Sequence, residues 1–300
     1  MVLYFSKLNL ISVDVFSAQD DVNQLRKVMD IVSSDLENGT VHEKENFYIE
    51  DDKKYINTIE YRISIRRKTE SFIDGYIYKD SVVYYKELDK ITGNLQRKSQ
   101  PNTEAIRFYF DIYKETVGFH VTNRFGYKEF NEAFVSIINK CLEKKNRGFY
   151  FEIALRTQGM EFEEVKDYLK KIGKIYELKL KFQQPNPDTE IIRRMRENGE
   201  EHLRSMRTAN VTEMSFLFSS KGGGIDIDSE LVNDKIKIIE DIGEAIGDKE
   251  AVSKGYLSVE AQNSFGRKFT TADEKPIKVE IEKKGFWASL FSSKSNKCSC

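Results

Sequence analysis

Along the chain, hydrophobic positions recur with two alternating periods, and the switches between them mark the elements. Residues 1–16 alternate apolar and polar side chains as a strand does. From Asp20 to Leu36 the period changes, placing Val22, Leu25, Val28, Met29, Val32 and Leu36 on one side of a helix. Asp20 or Asp21 supplies its cap and Asn38-Gly39 its stop. The acidic stretch from Glu43 to Lys54 reads as a loop. Strands follow at Tyr55–Lys68, Phe72–Tyr78 and Val82–Tyr85, rich in the β-branched and aromatic residues that suit antiparallel pairing. Thr92 to Thr103 shows no apolar period and carries Gly93, Asn94, Pro101 and Asn102, so it reads as a boundary.

Past Ala105 the pattern predicts a strand pair at Ile106–Tyr113 and Val117–Val121, then a helix from Tyr127 to Lys145. A strand at Phe149–Leu155, a helix at Glu161–Ile172 and a strand at Ile175–Phe182 come next. Pro185-Asn186-Pro187-Asp188 interrupts, and a helix runs from Thr189 to about Thr208. Then come a strand at Val211–Phe218, a Gly222-Gly223-Gly224 turn, a helix at Ser229–Ile246, and strands at Tyr256–Ala261 and Ile277–Ile281. This order predicts an α+β fold with mixed or antiparallel sheets, packed helices and ferredoxin-like β-α-β elements. Two similar units in tandem suggest a duplication. The expected divisions are 1–100, 101–187, 188–284 and a tail at 285–300.

Composition narrows the function classes. Lys and Arg number 48 against 49 Asp and Glu, which argues against a wholly basic nucleic-acid coat and a polyanionic chaperone. Twenty Phe and fifteen Tyr need a core, which argues against disorder. The N-terminal apolar run lacks a basic leader, and no stretch has the length of a membrane span, so the expectation is a soluble cytoplasmic protein without a transmembrane segment. Of the cysteines, Cys141 falls on an apolar helix face as a buried thiol, and three cysteines in a chain of this size supply no disulfide framework. Cys298 and Cys300 follow Phe286, Trp287, Leu290 and Phe291. That ending resembles the doubly prenylated tails of small vesicle-trafficking GTPases, and the resemblance implies a membrane-tethered interaction protein. A docked aromatic hook or a plain tail is the simpler reading.

Three basic features are candidates for binding nucleic acid. Arg193, Arg196, Arg204 and Arg207 share a narrow sector of one helix and could grip phosphates, although Glu197 and Glu200 are spaced to neutralise them as a solvated face. On the strand at Tyr61–Lys68, period two gathers Arg62, Arg66 and Lys68 on one face with Ser64 and no acid; a charged edge that blocks aggregation is the alternative. Arg107 and Tyr109 share a strand face with Tyr113, in a region where bases outnumber acids, as in sheets that stack single-stranded bases. Core filling is the competing role.

Enzyme signals are thinner. His42, His120 and His202 lie far apart, no paired Cys/His spacing marks a metal site, and neither a G-x-S-x-G elbow nor a phosphate-binding loop is present. No metal and no cofactor are therefore expected. Glu177-x-Lys179 has the carboxylate and lysine of a magnesium-dependent nuclease, which needs a second acid beside it.

The strings Val211-Thr212-Glu213-Met214, the triple glycine, Lys254-Gly255-Tyr256 and Lys275-Pro276 resemble uncharacterised bacterial proteins encoded among antiphage defence genes. That resemblance implies a cytoplasmic role in restricting phage and assigns no functional residue. The resulting expectation is a non-enzymatic antiphage-defence protein that recognises nucleic acid or a co-encoded partner protein, with a homo-oligomer left open. A metal-dependent nuclease and a membrane-tethered interaction protein are the alternatives.

Overall fold

Strand β1 (Val2–Ile11) organises the first half of the chain. In the computed structural model, which describes residues 2–11, 22–50, 53–91, 93–185, 189–197 and 201–280, it pairs antiparallel on both sides. One neighbour is β6 (Thr116–Phe119); the other edge carries β7 (Tyr150–Leu155), with β12 (Lys278–Glu280) beside Val2–Tyr4. Beyond β6 the sheet continues through β5 (Leu95–Asp111), β4 (Phe72–Leu88), β3 (Lys53–Lys68) and β2 (Val41–Glu50), each antiparallel to the next.

Helices α1 (Val22–Asp35) and α2 (Tyr127–Lys144) cover one face of this sheet. The chain leaves β6 through α2 and returns as β7 on the far side of β1, a β-α-β crossover that skips a strand. The apolar stripe of α2 explains its docking: Phe130, Phe134, Ile137, Ile138, Cys141 and Leu142 are all buried. Phe130 stacks on Phe119 with centroids 3.9 Å apart, and Phe134 meets Phe108 edge-on at 5.1 Å. Cys141 is a buried thiol beside the Thr40 hydroxyl at 3.3 Å.

A second core lies under a four-stranded antiparallel sheet ordered β11-β10-β8-β9. Its strands are β8 (Ile175–Gln183), β9 (Glu213–Ser219), β10 (Leu257–Asn263) and β11 (Lys268–Thr270). Alternation along β8 sends Leu178, Leu180 and Phe182 inward, against Val232, Ile236, Ile239 and Ile242 of α6 (Glu230–Ile246). Helix α3 (Phe162–Lys171) adds Phe162, Val165 and Leu169 behind a reciprocal cap between Glu161 and Glu164. The remaining helices are α4 (Thr189–Glu197), α5 (Glu201–Thr208) and α7 (Asp248–Ser253). The triple glycine makes a turn, with Gly224 at φ +88° and Tyr176 donating to the Gly222 carbonyl.

The fold is thus α+β, with antiparallel sheets and packed helices. Both halves contain a strand-skipping β-α-β crossover, but their strand orders differ, so what they share is a motif rather than a common topology. Residues 100 and 101, expected at a boundary, are consecutive positions inside β5. Residues 160–182, expected with the central unit, contribute Met160, Phe162 and Phe182 to the second core. Residues 43–50 of the acidic stretch expected as a loop lie in β2, residues 53–54 open β3, and β4 runs unbroken from Phe72 to Leu88. Residues 43–47 and 79–88 show little hydrophobic period because much of their length has no buried face, so exposure weakened the signal on which strand recognition depends. The tail with Cys298 and Cys300 lies outside the described residues. Among those residues no helix is long and apolar enough to cross a membrane.

Candidate nucleic-acid interface

The strands at the β2 end of the first sheet are much longer than the helices that cover them. Strands β4 and β5 pair over their whole length, from Phe72↔Asp111 to Leu88↔Leu95. The β3–β4 pairing, however, starts only at Glu60↔Asp80. Residues 81–88 and 95–102 therefore form a two-stranded arm, and residues 44–50 with 53–59 form a second arm from the same end of the sheet. Beyond Glu60 and Asp80 the arms are no longer hydrogen-bonded to each other.

Alternation assigns the faces. Ile73 and Ile77 are buried under the helices, and Lys79 donates to the Arg124 carbonyl beside α2, so odd positions of β4 face the helices. Even positions face the other way: Phe72, Asp74, Tyr76, Tyr78, Asp80, Val82, Tyr84, Lys86 and Leu88. Their β5 partners on the same face include Tyr109, Arg107, Ser99, Arg97 and Leu95. On the arm this face carries Lys86 and Arg97 with Val82, Tyr84, Leu88 and Leu95, and no acid; Glu87 points to the other side with Lys98, its ion-pair partner. The Arg97 guanidinium lies 4.3 Å from the Tyr84 ring centre.

Closer to the core, basic groups and rings interleave on the same helix-free face. Arg66 lies over Tyr76 at 6.0 Å and Arg67 over Phe72 at 5.0 Å, while Phe72 stacks on Tyr109 at 5.1 Å. Tyr76 and Tyr78 meet at 5.9 Å. Burial of Tyr109, reinforced by Asp111, pushes its hydroxyl above the usual tyrosine range and keeps it a hydrogen-bond donor. Half-buried rings and guanidinium planes on an uncovered sheet can take stacked bases and phosphate oxygens together.

The structure sorts the residues expected from sequence. Arg62, Arg66, Arg107 and Tyr109 do share this face. Arg62 pairs with Asp80 at 3.0 Å, and strand β3 is flanked on both sides, so it is not a charged edge. Arg107 grips Asp74 with two bonds of 3.0 and 3.1 Å, which makes it a structural clamp as well as a lining residue. Lys68 is a correction. A bulge between Ile65 and Arg67 shifts the phase of β3, bringing Arg67 to the open face and turning Lys68 toward the helices. There the Lys68 ammonium donates to the carbonyls of Ser34 and Leu36 at 3.1 Å each, closing the end of α1. Burial holds its ammonium below the usual lysine range.

The arginine helix does not join this surface. Arg193 pairs with Glu197 at 2.7 Å on α4, and Arg204 is exposed on the separate helix α5. The side chains of Arg196 and Arg207 lie outside the described residues. Arg194, which the sequence stripe omits, reaches the Ile246 carbonyl and Glu250, and so closes the end of α6. Elsewhere in the basic central region, Arg147 binds Asp35, Lys166 binds Glu240 and Lys181 binds both Glu152 and Glu213. Glu177 and Lys179 share the polar face of β8, but among the described residues no three His, Cys, Asp or Glu side chains gather to hold a metal ion.

Sequence reading missed Arg67, Tyr76, Tyr78, Tyr84, Lys86 and Arg97. A signal existed: across Val82–Leu88 and Leu95–Pro101, Tyr84, Lys86 and Arg97 fall on one face, and the acid Glu87 falls on the other with Tyr85 and Lys98. Residues 18–286 match the family described as "Domain of unknown function (DUF4747)". A comparison with curated proteins finds no match.

Proposed function

We propose that this chain, which belongs to the DUF4747 family, binds single-stranded nucleic acid along the helix-free face of its first sheet and the β4–β5 arm. The observation that carries this reading is the acid-free arm face with Lys86, Arg97 and Tyr84, continuous with Arg66, Arg67, Tyr76 and Tyr109 on the sheet. Bases would stack on the tyrosines while the guanidinium groups meet the phosphates. The sequence resemblance to proteins encoded among antiphage defence genes supports a role for such binding in restricting phage. Plating of phage on cells with and without the gene tests that setting.

The binding reading is tested by replacing residues 82–101 with a two-residue Asn-Gly turn between the paired Ser81 and Asn102. The core residues of these strands, Ile73, Ile77, Ile106 and Phe108, all lie outside the deletion. The shortened protein is expected to fold and to lose binding to labelled single-stranded RNA and DNA in an anisotropy titration. An intact protein that binds neither polymer at low salt would sink the proposal.

A second reading, a protein partner, is favoured by the apolar residues displayed on the arms: Phe47 and Ile56 on one, Leu88, Ile91 and Leu95 on the other. Co-purification of a protein that depends on the β4–β5 arm, without bound nucleic acid, would select it.

A further inference from the structure

A cleft of about 540 Å³ opens between the two sheets, far along the first sheet from the arms. Strands β1 and β7 and the start of α2 wall one side, and the polar face of β8 and β10 walls the other. Two amides in its lining are 1% exposed and carry an atom with no hydrogen-bond partner among the described residues: Asn9 Oδ1, an acceptor, and Gln183 Nε2, a donor. Asn9 is held in place by its Nδ2, which donates to the Lys254 carbonyl at 3.2 Å. Leaving such a buried group unsatisfied opposes folding, so two in one cleft point to something that completes them.

Charges in the same lining narrow the choice. Lys181 is engaged by Glu152, and Lys128 by Asp273 at 3.1 Å across the cleft. Lys179, on the same face of β8 as Gln183 and opposite Glu260 of β10, forms no ion pair among the described residues. An occupant would therefore offer a donor–acceptor edge to the two amides and an anionic group to Lys179. Nucleobases carry such an edge, the same one that Asn and Gln side chains read in nucleic acids, and nucleotides add the anion. A free amino acid with a carboxamide has both features but would leave most of this volume empty, whereas the cleft is of the size that encloses larger ligands.

We propose that the cleft is a mononucleotide site in which Asn9 and Gln183 read the base edge and Lys179 receives the phosphate. This site is independent of the polymer-binding face. The test is calorimetric titration of the full chain with AMP, GMP, CMP and UMP, with the matching nucleosides and ribose 5-phosphate as the arms lacking phosphate or base. At least one nucleotide is expected to bind saturably, more tightly than its nucleoside or ribose 5-phosphate. Gln183→Leu is expected to weaken it about tenfold, the loss of one directed hydrogen bond. Lys179→Ala, at a side chain with no ion pair among the described residues, is expected to weaken the nucleotide but not the nucleoside. Absence of saturable binding by all four nucleotides at millimolar concentration would mean that water alone satisfies the amides, and would overturn the site. So would a nucleotide affinity unchanged in both variants. Deleting the β4–β5 arm is expected to leave nucleotide binding intact, so failure of either proposal is separable from failure of the other.

Discussion

Gly255 lies so close to Ala154 that a Cβ on the glycine would stand 2.4 Å from the alanine Cβ. This approach joins the second unit to β7 of the first sheet, and Gly255 meets it with φ +75°, a conformation that favours glycine. Gly255→Ala therefore combines overpacking with backbone strain, and is expected to cost about 2–4 kcal/mol in a denaturant melt. Adding Ala154→Gly should recover the steric part and leave the strain. An unchanged unfolding midpoint for Gly255→Ala would show that the two units do not meet there.

Lys7 and Glu115 form an ion pair with side chains only 3% and 4% exposed, and Lys7 also donates to the Lys114 carbonyl. Removing one charge strands the other in the interior. Glu115→Gln is expected to lose about 3–5 kcal/mol of stability, whereas replacing both residues by apolar side chains should lose much less. Thermal melts of the single and double variants distinguish pairing from mere side-chain volume.

On the arm, Arg97 stacks on Tyr84 and stands opposite Lys86. If both cations meet phosphate, Lys86→Ala with Arg97→Ala should lower single-strand affinity and flatten its dependence on salt by about 0.7 for each phosphate no longer neutralised. Tyr84→Ala should lower affinity by about 1–3 kcal/mol with the salt slope unchanged, since stacking releases no counterions. Equal slopes in all variants would place the polymer elsewhere.

Asp248 opens α7 with one carboxylate oxygen that has no hydrogen-bond partner among the described residues. Burial pushes its carboxyl above the usual aspartate range, against the Phe162 N–H that favours the ionised form; Glu161, Glu244 and Glu240 add to the rise. A raised value in the folded state means the ionised form is penalised on folding. The contribution to stability is then full below the unfolded-state value and is lost as pH rises through the folded-state value. Asp248→Asn should accordingly stabilise the protein at neutral pH, by at most about 1 kcal/mol because solvent reaches part of the carboxyl. The gain should vanish below about pH 4. A gain constant across that range would exclude the titration of Asp248 as its source.

The elements most legible in the sequence were those with one buried and one wet face. Helix α2 declares itself through Phe130, Phe134, Ile137 and Cys141, and β8 through Leu178, Leu180 and Phe182. The arms were legible only in part, as strands at Val82–Tyr85 and from Tyr55 but not at 95–102, since residues 81–88 and 95–102 bury little on either face. Of the candidate site, the sequence named Arg62, Arg66, Arg107 and Tyr109, but on two separate strand faces, which only the β3–β4–β5 pairing joins. It misplaced Lys68, because a single bulged residue inverts the parity of everything beyond it.

By itself, then, the amino-acid order determined the α+β class, the identity of most buried faces and the Arg193–Glu197 pair, because periodicity and i,i+4 spacing are properties of the chain alone. Tertiary structure decided which strands outran their neighbours and which face each basic residue took. It also brought Asn9 and Gln183, far apart in sequence, to one cleft. Those outcomes depend on register and on packing across long loops, and no local pattern encodes them.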